Sequence, residues 1–255
     1  MSQAHQLVAQ GKQADLMAAY NVLAHVTAIN VILLKPHGVV TFEFPHLLQL
    51  VQNNHYDTIY HEHFSYLSLI ALKHIFAANG LSVFDVEPLP THGGSLRVFA
   101  QRRDSSHHAT TERVQNILKQ EMQAGLLETS FYQHFQSAAD RVKDDFLRFL
   151  LTAKEQDKTV VGYGAAAKGN TLLNYAGIRS DLIAFVCDRN PAKQGKYLPG
   201  NRIAIVDESQ IKAAHPDYVV ILPWNIKSEI MSQLAYIREW EGQFVTAVPH
   251  LEVLK

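Results

Sequence analysis

One cysteine stands in 255 residues, and that scarcity excludes a good deal. A lone thiol, Cys187, allows no intramolecular disulfide and no cysteine-rich zinc cluster. Inside the apolar run of residues 182–187 it reads as a small buried hydrophobe rather than a nucleophile. Long hydrophobic runs are missing too: nothing reaches the roughly 18–20 apolar residues of a membrane span, and no secretory apolar segment is recognisable. Nor does one sign of charge dominate, since 23 Lys and Arg stand against 24 Asp and Glu with no basic stripe of the kind that tracks nucleic acid. Repeats and low-complexity tracts are also lacking. The expectation is a cytoplasmic globular protein of one or two domains with neither nucleic-acid nor membrane partners, its core drawn from the 47% of residues that are apolar.

What is present is concentrated. Tyr56-Asp57-Thr58-Ile59-Tyr60-His61-Glu62-His63-Phe64-Ser65-Tyr66 crowds two imidazoles, carboxylates and three phenols into eleven positions. If residues 58–66 are extended, Tyr60, Glu62 and Phe64 share one face and His61, His63 and Ser65 the other. A histidine beside a carboxylate is suited to proton transfer near neutral pH. The same residues equally describe a half-buried strand with packed aromatics and structural histidines. His61 and His63, helped by His55 or Glu62, also have two-residue metal-ligand spacing, but no cysteine pair or helical His-x-x-x-His supports a metal, and none is expected.

Around this segment the pattern alternates between strand and helix. Residues 14–26 read as a short strand running into a helical start, and Ile32-Leu33-Leu34-Lys35-Pro36-His37-Gly38 as the end of a helix. Residues 39–45 follow as a β-branched strand, then a helix over 47–53, a helix over 69–79 stopped at Gly80, and a strand over 81–86. His92-Gly93-Gly94-Ser95 is a turn before a strand over 96–101. Residues 110–156 are helical by pattern, with a charged break expected at 140–145.

Thr159-Val160-Val161-Gly162-Tyr163-Gly164-Ala165-Ala166-Ala167-Lys168-Gly169 is an apolar strand, a small-residue turn and a helix start, the form of a phosphate cradle. Further strands over 182–187, 203–206, 218–222 and 243–248, with helices between, argue for a parallel, doubly wound sheet. Asp188, about twenty residues past the glycines, stands where a dinucleotide fold holds a ribose. A tight strand-to-helix turn without ligand explains the same glycines.

Together, Leu34 to Pro45, Tyr60-His61-Glu62-His63-Phe64-Ser65-Tyr66, His92-Gly93-Gly94-Ser95-Leu96-Arg97 and the Gly162 to Gly169 turn resemble the C-terminal two thirds of the nucleotide-sugar C-methyltransferases. That family uses S-adenosylmethionine to methylate a ring carbon of a dTDP-linked keto-deoxysugar. The implied fold is α/β: a truncated class I methyltransferase-like lobe over residues 1–105, a helical bridge over 106–157, and a Rossmann-like, parallel, doubly wound lobe that binds the nucleotide sugar over 158–255. The resemblance implies His63 as the base that removes the proton beside the ketone, with Glu62 or Tyr60 orienting it or steadying the enolate oxygen. It gives the sugar pocket to His92, Gly93, Gly94 and Ser95, and the diphosphate to Gly162, Gly164 and Lys168. Asn21, His25 and Glu43 would line the cofactor pocket.

The chain also departs from that family. Its cysteine-rich zinc domain, its Gly-rich S-adenosylmethionine loop and the ribose carboxylate have no counterpart in these residues, so no zinc is expected and the cofactor site is incomplete. Met1 would lie just before the fourth strand of the methyltransferase sheet. This suggests a fragment, a diverged remnant, or half of a split enzyme partnered by a separate N-terminal chain. Two alternatives stand beside this one: an NAD(P)-linked oxidoreductase built on Gly162, Gly164, Ala167 and Asp188, and a catalytically inactive nucleotide-sugar-binding module.

Overall fold

The computed structural model describes residues 3–25, 31–105 and 107–255, the side chains of His25 and Val31 aside. It divides into two compact units, Met1–Gln52 with His61–Gln133, and Asn53–Tyr60 with His134–Lys255.

In the first unit, α1 (Gln3–Ala9) precedes β1 (Ala14–Tyr20), β2 (Leu34–Pro45), α2 (Leu47–Gln52), α3 (Leu69–Ala78), β3 (Leu81–Leu89), β4 (Ser95–Arg102) and α4 (Glu112–Ala124). The sheet order is β1-β2-β4-β3, parallel between β1 and β2 and antiparallel elsewhere. Phe44, Leu69, Leu72, Phe76, Leu96 and Val98 form its core. Helix α3 is bounded as its residues dictate: Ser68 Oγ accepts from Ala71 N at 3.1 Å, and Asn79 and a left-handed Gly80 end it.

Two expectations fail here. Residues 32–38 do not end a helix; after a 3₁₀ turn at Val31–Leu33, β2 already starts at Leu34 and runs through Pro36 and Gly38. Pairing with β1 jumps from Ala14↔Leu34 to Leu16↔Val39, so residues 35–38 bulge and the ladder needs no N–H from Pro36. Nor are residues 58–66 a strand. Tyr56–Thr58 is a 3₁₀ turn, the following residues are irregular, and only Leu67 makes an isolated bridge, to His46. The alternating faces assigned to Tyr60–His63 therefore do not exist; the backbone bonds that hold this stretch, such as Phe64 N to Ala24 O at 2.8 Å, are loop bonds.

The second unit contains α5 (Phe135–Glu155), β5 (Val160–Tyr163), α6 (Ala167–Tyr175), β6 (Val186–Cys187), β7 (Ile205–Val206), α7 (Ser209–Ala214), β8 (Tyr218–Ile221), α8 (Lys227–Gln233), β9 (Gln243–Thr246) and β10 (Glu252–Leu254). Its order β10-β9-β8-β5-β6-β7 is parallel except for β10, an antiparallel edge that the pattern did not suggest. The α/β class with a parallel, doubly wound C-terminal sheet thus holds. Between the sheets, the helical break falls at Gly125, which caps α4 at φ +84°, and not at residues 140–145. Helix α5 continues through those charges because Ala139, Val142, Phe146, Leu150 and Ala153 form an unbroken buried stripe beneath them. The described residues of 106–157 thus contain two α-helices with a 3₁₀ turn at Thr129–Tyr132 between them, α4 counted with the first unit and α5 with the second.

Candidate functional site

In the first unit, one row of side chains crosses the sheet. Register places Tyr20 opposite Glu43, Glu43 opposite Arg97 and Arg97 opposite Glu87. Buried Glu43 accepts from Arg97 Nη2 and from Thr91 Oγ1, both at 2.9 Å, so each carboxylate oxygen is fixed by a different segment. The bond to Glu43 holds the Arg97 guanidinium even more firmly protonated than usual. Arg97 also lies over the Tyr20 ring, 5.5 Å from its centre.

The chain then turns sharply on both sides of this row. Asn21, directly after β1, donates its backbone N–H to Glu43 O at 2.8 Å and has φ +54°. His92 has φ +55°, and its Nε2 lies 3.0 Å from Asn21 Nδ2. Two non-glycine residues held in left-handed conformations and bonded to each other, 71 positions apart, mark a strained and over-determined spot. Gly94 allows the adjoining loop: at φ +126° a side chain is unfavourable, and a Cβ there would come within 2.7 Å of Gln49 Cγ. Ser95 is buried and its hydroxyl donates to Thr91 O at 2.9 Å.

These groups gather at the carboxyl ends of the parallel strands β1 and β2, the end where open α/β sheets bind ligands. Of the residues named from sequence, Asn21, Glu43, His92, Gly93, Gly94 and Ser95 come together there; the His25 side chain lies outside the described residues. Half-buried His63 meets Tyr66 edge-on with centroids 5.6 Å apart, and its neighbour Phe64 is tied to Ala24. Glu62 and His63 belong to the first unit, whereas Tyr60 belongs to the second. Thr91 and Tyr20 escaped sequence reasoning and Arg97 entered it only as the end of a motif, because strand register, and for Thr91 the turn after β3, set them around Glu43.

In the second unit, the turn at the end of β5 forms as expected. Gly164 has φ +91°, and a Cβ there would sit 2.5 Å from Pro223 Cδ, so close packing alone demands the glycine. Both Asp188 oxygens are engaged: one accepts from Ala165 N at 2.8 Å and Lys193 Nζ at 3.0 Å, the other from Asn190 N at 2.8 Å. Asp188 seals the turn from within. A cleft of about 300 Å³ opens beside Tyr163, Gly164, Ala166, Arg189, Pro223 and Gln233, where the strand order reverses. A larger one, about 690 Å³, lies near Lys158, Arg238 and Gln243, toward the amino ends of β5 and β9, away from the ligand-binding edge of a parallel sheet.

Lys168 faces inward. Its ammonium donates to Asn225 Oδ1 at 2.7 Å and lies 4.4 Å from the centre of the Trp224 ring. Trp224 Nε1 donates to Asp57 Oδ2 at 2.7 Å, and the His55 ring packs on the same indole with centroids 4.4 Å apart. Burial pushes Asp57 up to about 6, against the pull of Trp224 and Lys168, and pushes His55 down to about 4, aided by Lys168. Cys187 is buried, and loss of solvent pushes its thiol up to about 12. Among the described residues no cluster of three or more His, Cys, Asp or Glu could hold a metal ion, and no helix is long and apolar enough to cross a membrane.

The fold and the gathered polar groups define an α/β protein with ligand-binding geometry at strand carboxyl ends in each unit. Sequence comparison narrows this: the model of the family described as C-methyltransferase C-terminal domain matches residues 90–249. Over 247 residues the chain is 36% identical to C-methyltransferase NovU of Streptomyces niveus, covering 94% of this chain and 59% of that protein. The chain belongs to the C-methyltransferase C-terminal domain family, and spans about three fifths of the curated relative it matches.

Proposed function

We propose that this chain carries the base and substrate-binding part of an S-adenosylmethionine-dependent C-methyltransferase acting on a nucleotide-linked keto-deoxysugar. The observation that carries the proposal is the convergence of Asn21, Glu43, Thr91, His92 and Arg97 from four separate segments on the carboxyl ends of β1 and β2. His63 takes the acidic proton from the carbon beside the ketone. Tyr60 or Glu62 orients that imidazole, or the Tyr60 hydroxyl donates toward the enolate oxygen, a preorganised contact worth a few kcal/mol in the transition state. His92, Gly93, Gly94 and Ser95 shape the sugar pocket.

S-adenosylmethionine, when bound, supplies a methyl group on a sulfonium for direct displacement by the enolate carbon. The residues present suit one wall of its pocket: the Asn21 amide is polar and rigidly placed, and Glu43, whose two oxygens are already taken by Thr91 and Arg97, shapes that wall rather than offering free charge. Asn21, His25 and Glu43 would hold it there. In the sheet β1 is an edge with Leu16, Tyr20 and neighbouring Val22 exposed, which favours pairing with a strand from a further segment, on this polypeptide or a separate N-terminal chain.

The diphosphate is given to the turn at Gly162 and Gly164. Lys168 adds positive charge from beneath that turn, in line with the α6 dipole, since its ammonium is spent on Trp224 and Asn225. Engagement of both Asp188 oxygens weighs against the NAD(P) alternative, which needs that carboxylate for a ribose. Thermal protection tests the choice: a dTDP-linked keto-deoxysugar should raise the melting temperature and NADH should not, and the reverse would favour the oxidoreductase.

A further inference from the structure

We infer that Asp57 and its buried partner Trp224 position Tyr60, three residues further on, for the reaction proposed above. The inference rests on the role given there to Tyr60. Residues Asn53–Tyr60 pack with the second unit although the chain on both sides of them belongs to the first. Packing holds this excursion: residues 54–58 are buried and the His55 ring lies against Trp224, with centroids 4.4 Å apart. Tyr56 packs edge-on against Tyr175 of α6 with centroids 5.4 Å apart, and Thr58 closes the turn by donating N–H and hydroxyl to His55 O at 3.0 and 2.7 Å. Ile59 N continues it to Tyr56 O at 3.0 Å. One directional tie to the rest of the unit is the Trp224–Asp57 bond, which joins residues 167 positions apart.

Asp57 is an expensive choice for that tie. Its side chain is wholly buried, and one of its oxygens has no partner among the described residues. A buried carboxylate left half-satisfied destabilises the fold, whereas an apolar residue would pack at the same place without that cost. A local cost of this kind, next to a residue with an assigned chemical task, fits selection for geometry rather than for stability. Lys168, whose ammonium lies 4.4 Å from the centre of the same indole, adds positive charge toward Asp57.

The test uses the full chain with ring-¹³C tyrosine, the Tyr60 signal being assigned by Tyr60→Phe. Trp224→Phe keeps a ring beneath His55 and Lys168 and removes only the N–H donor; Asp57→Ala removes the acceptor, and Asp57→Asn restores one. Trp224→Phe and Asp57→Ala should each move or broaden the Tyr60 signal and leave that of Tyr218 in β8 unchanged. They should also speed amide exchange at Thr58 and Ile59 about tenfold, the loss expected for one hydrogen bond to a charged group. Asp57→Asn should restore most of both. A Tyr60 signal and Thr58 and Ile59 exchange unchanged in Trp224→Phe would overturn the inference, whatever the chain catalyses. Conversely, if the parent chain fails to exchange the sugar's α-proton while Trp224→Phe shifts Tyr60, the assigned reaction fails and the tether stands.

Discussion

His55 and Asp57 sit two residues apart in one buried turn, and their protonation shifts act oppositely on stability. Asp57, raised to about 6, binds its proton more tightly folded than unfolded. Its contribution is therefore full below the ordinary Asp value and is lost as pH rises through about 6. His55, lowered to about 4, resists protonation when folded. Its contribution is present above the ordinary His value of 6.5 and is lost as pH falls from there toward about 4. Between pH 4 and 6 the two offset each other, each being worth on the order of 3 kcal/mol. Asp57→Asn should therefore make the second unit lose stability steadily between pH 6.5 and 4.5, and His55→Gln should make it gain stability over the same range. Urea titrations at several pH values read both slopes; equal slopes in parent and variants would contradict the assigned environments.

Among the elements, α3 and α4 show how a single buried carboxylate binds a unit together. Glu121 of α4 accepts from Leu69 N at 2.6 Å and Ile70 N at 2.8 Å, the free amides at the start of α3, and its Oε1 lies 2.7 Å from His46 Nε2. It is wholly buried, so Glu121→Ala leaves orphaned amides as well as a cavity and should cost about 3–5 kcal/mol in denaturant unfolding. Glu121→Gln, which retains one acceptor, should cost less; a loss under about 1 kcal/mol for Glu121→Ala would show that water replaces the carboxylate freely. Nothing in the spacing of Glu121 within its helix announces this role. Helix α3 was legible because its cap, period and terminal glycine all agree, and the β5 turn because strand, small residues and helix follow one another in sequence. Residues 58–66 were not, since their alternation of polar and aromatic groups resembles a strand while no strand stands beside them to pair. The Tyr20–Glu43–Arg97–Glu87 row and the Asp57–Trp224 tie were illegible for a different reason. They depend on register and on long sequence separation, which residue pattern does not encode.

At the scale of the whole molecule, each unit presents strand carboxyl ends that suit a ligand, and the comparisons assign the chain to the C-methyltransferase C-terminal domain family. The cofactor site proposed here is a single wall, at Asn21 and Glu43. A ligand that leaves much of its surface in water binds weakly, so calorimetry on this chain should give no saturable binding of S-adenosylmethionine at micromolar concentration. Micromolar binding would mean that the wall at Asn21 and Glu43 suffices, and that β1 needs no further strand.

Proton abstraction requires only the base and the sugar site, both of which are proposed to lie in this chain. The central claim is therefore tested most directly by solvent-deuterium exchange at the carbon beside the ketone of a dTDP-linked keto-deoxysugar, followed by NMR without methyl donor. The parent chain should exchange that proton, His61→Asn should do so at a similar rate, and His63→Asn should fall by about 10²–10⁴-fold, the usual loss on removing a general base. Exchange by His63→Asn at the parent rate would contradict the account.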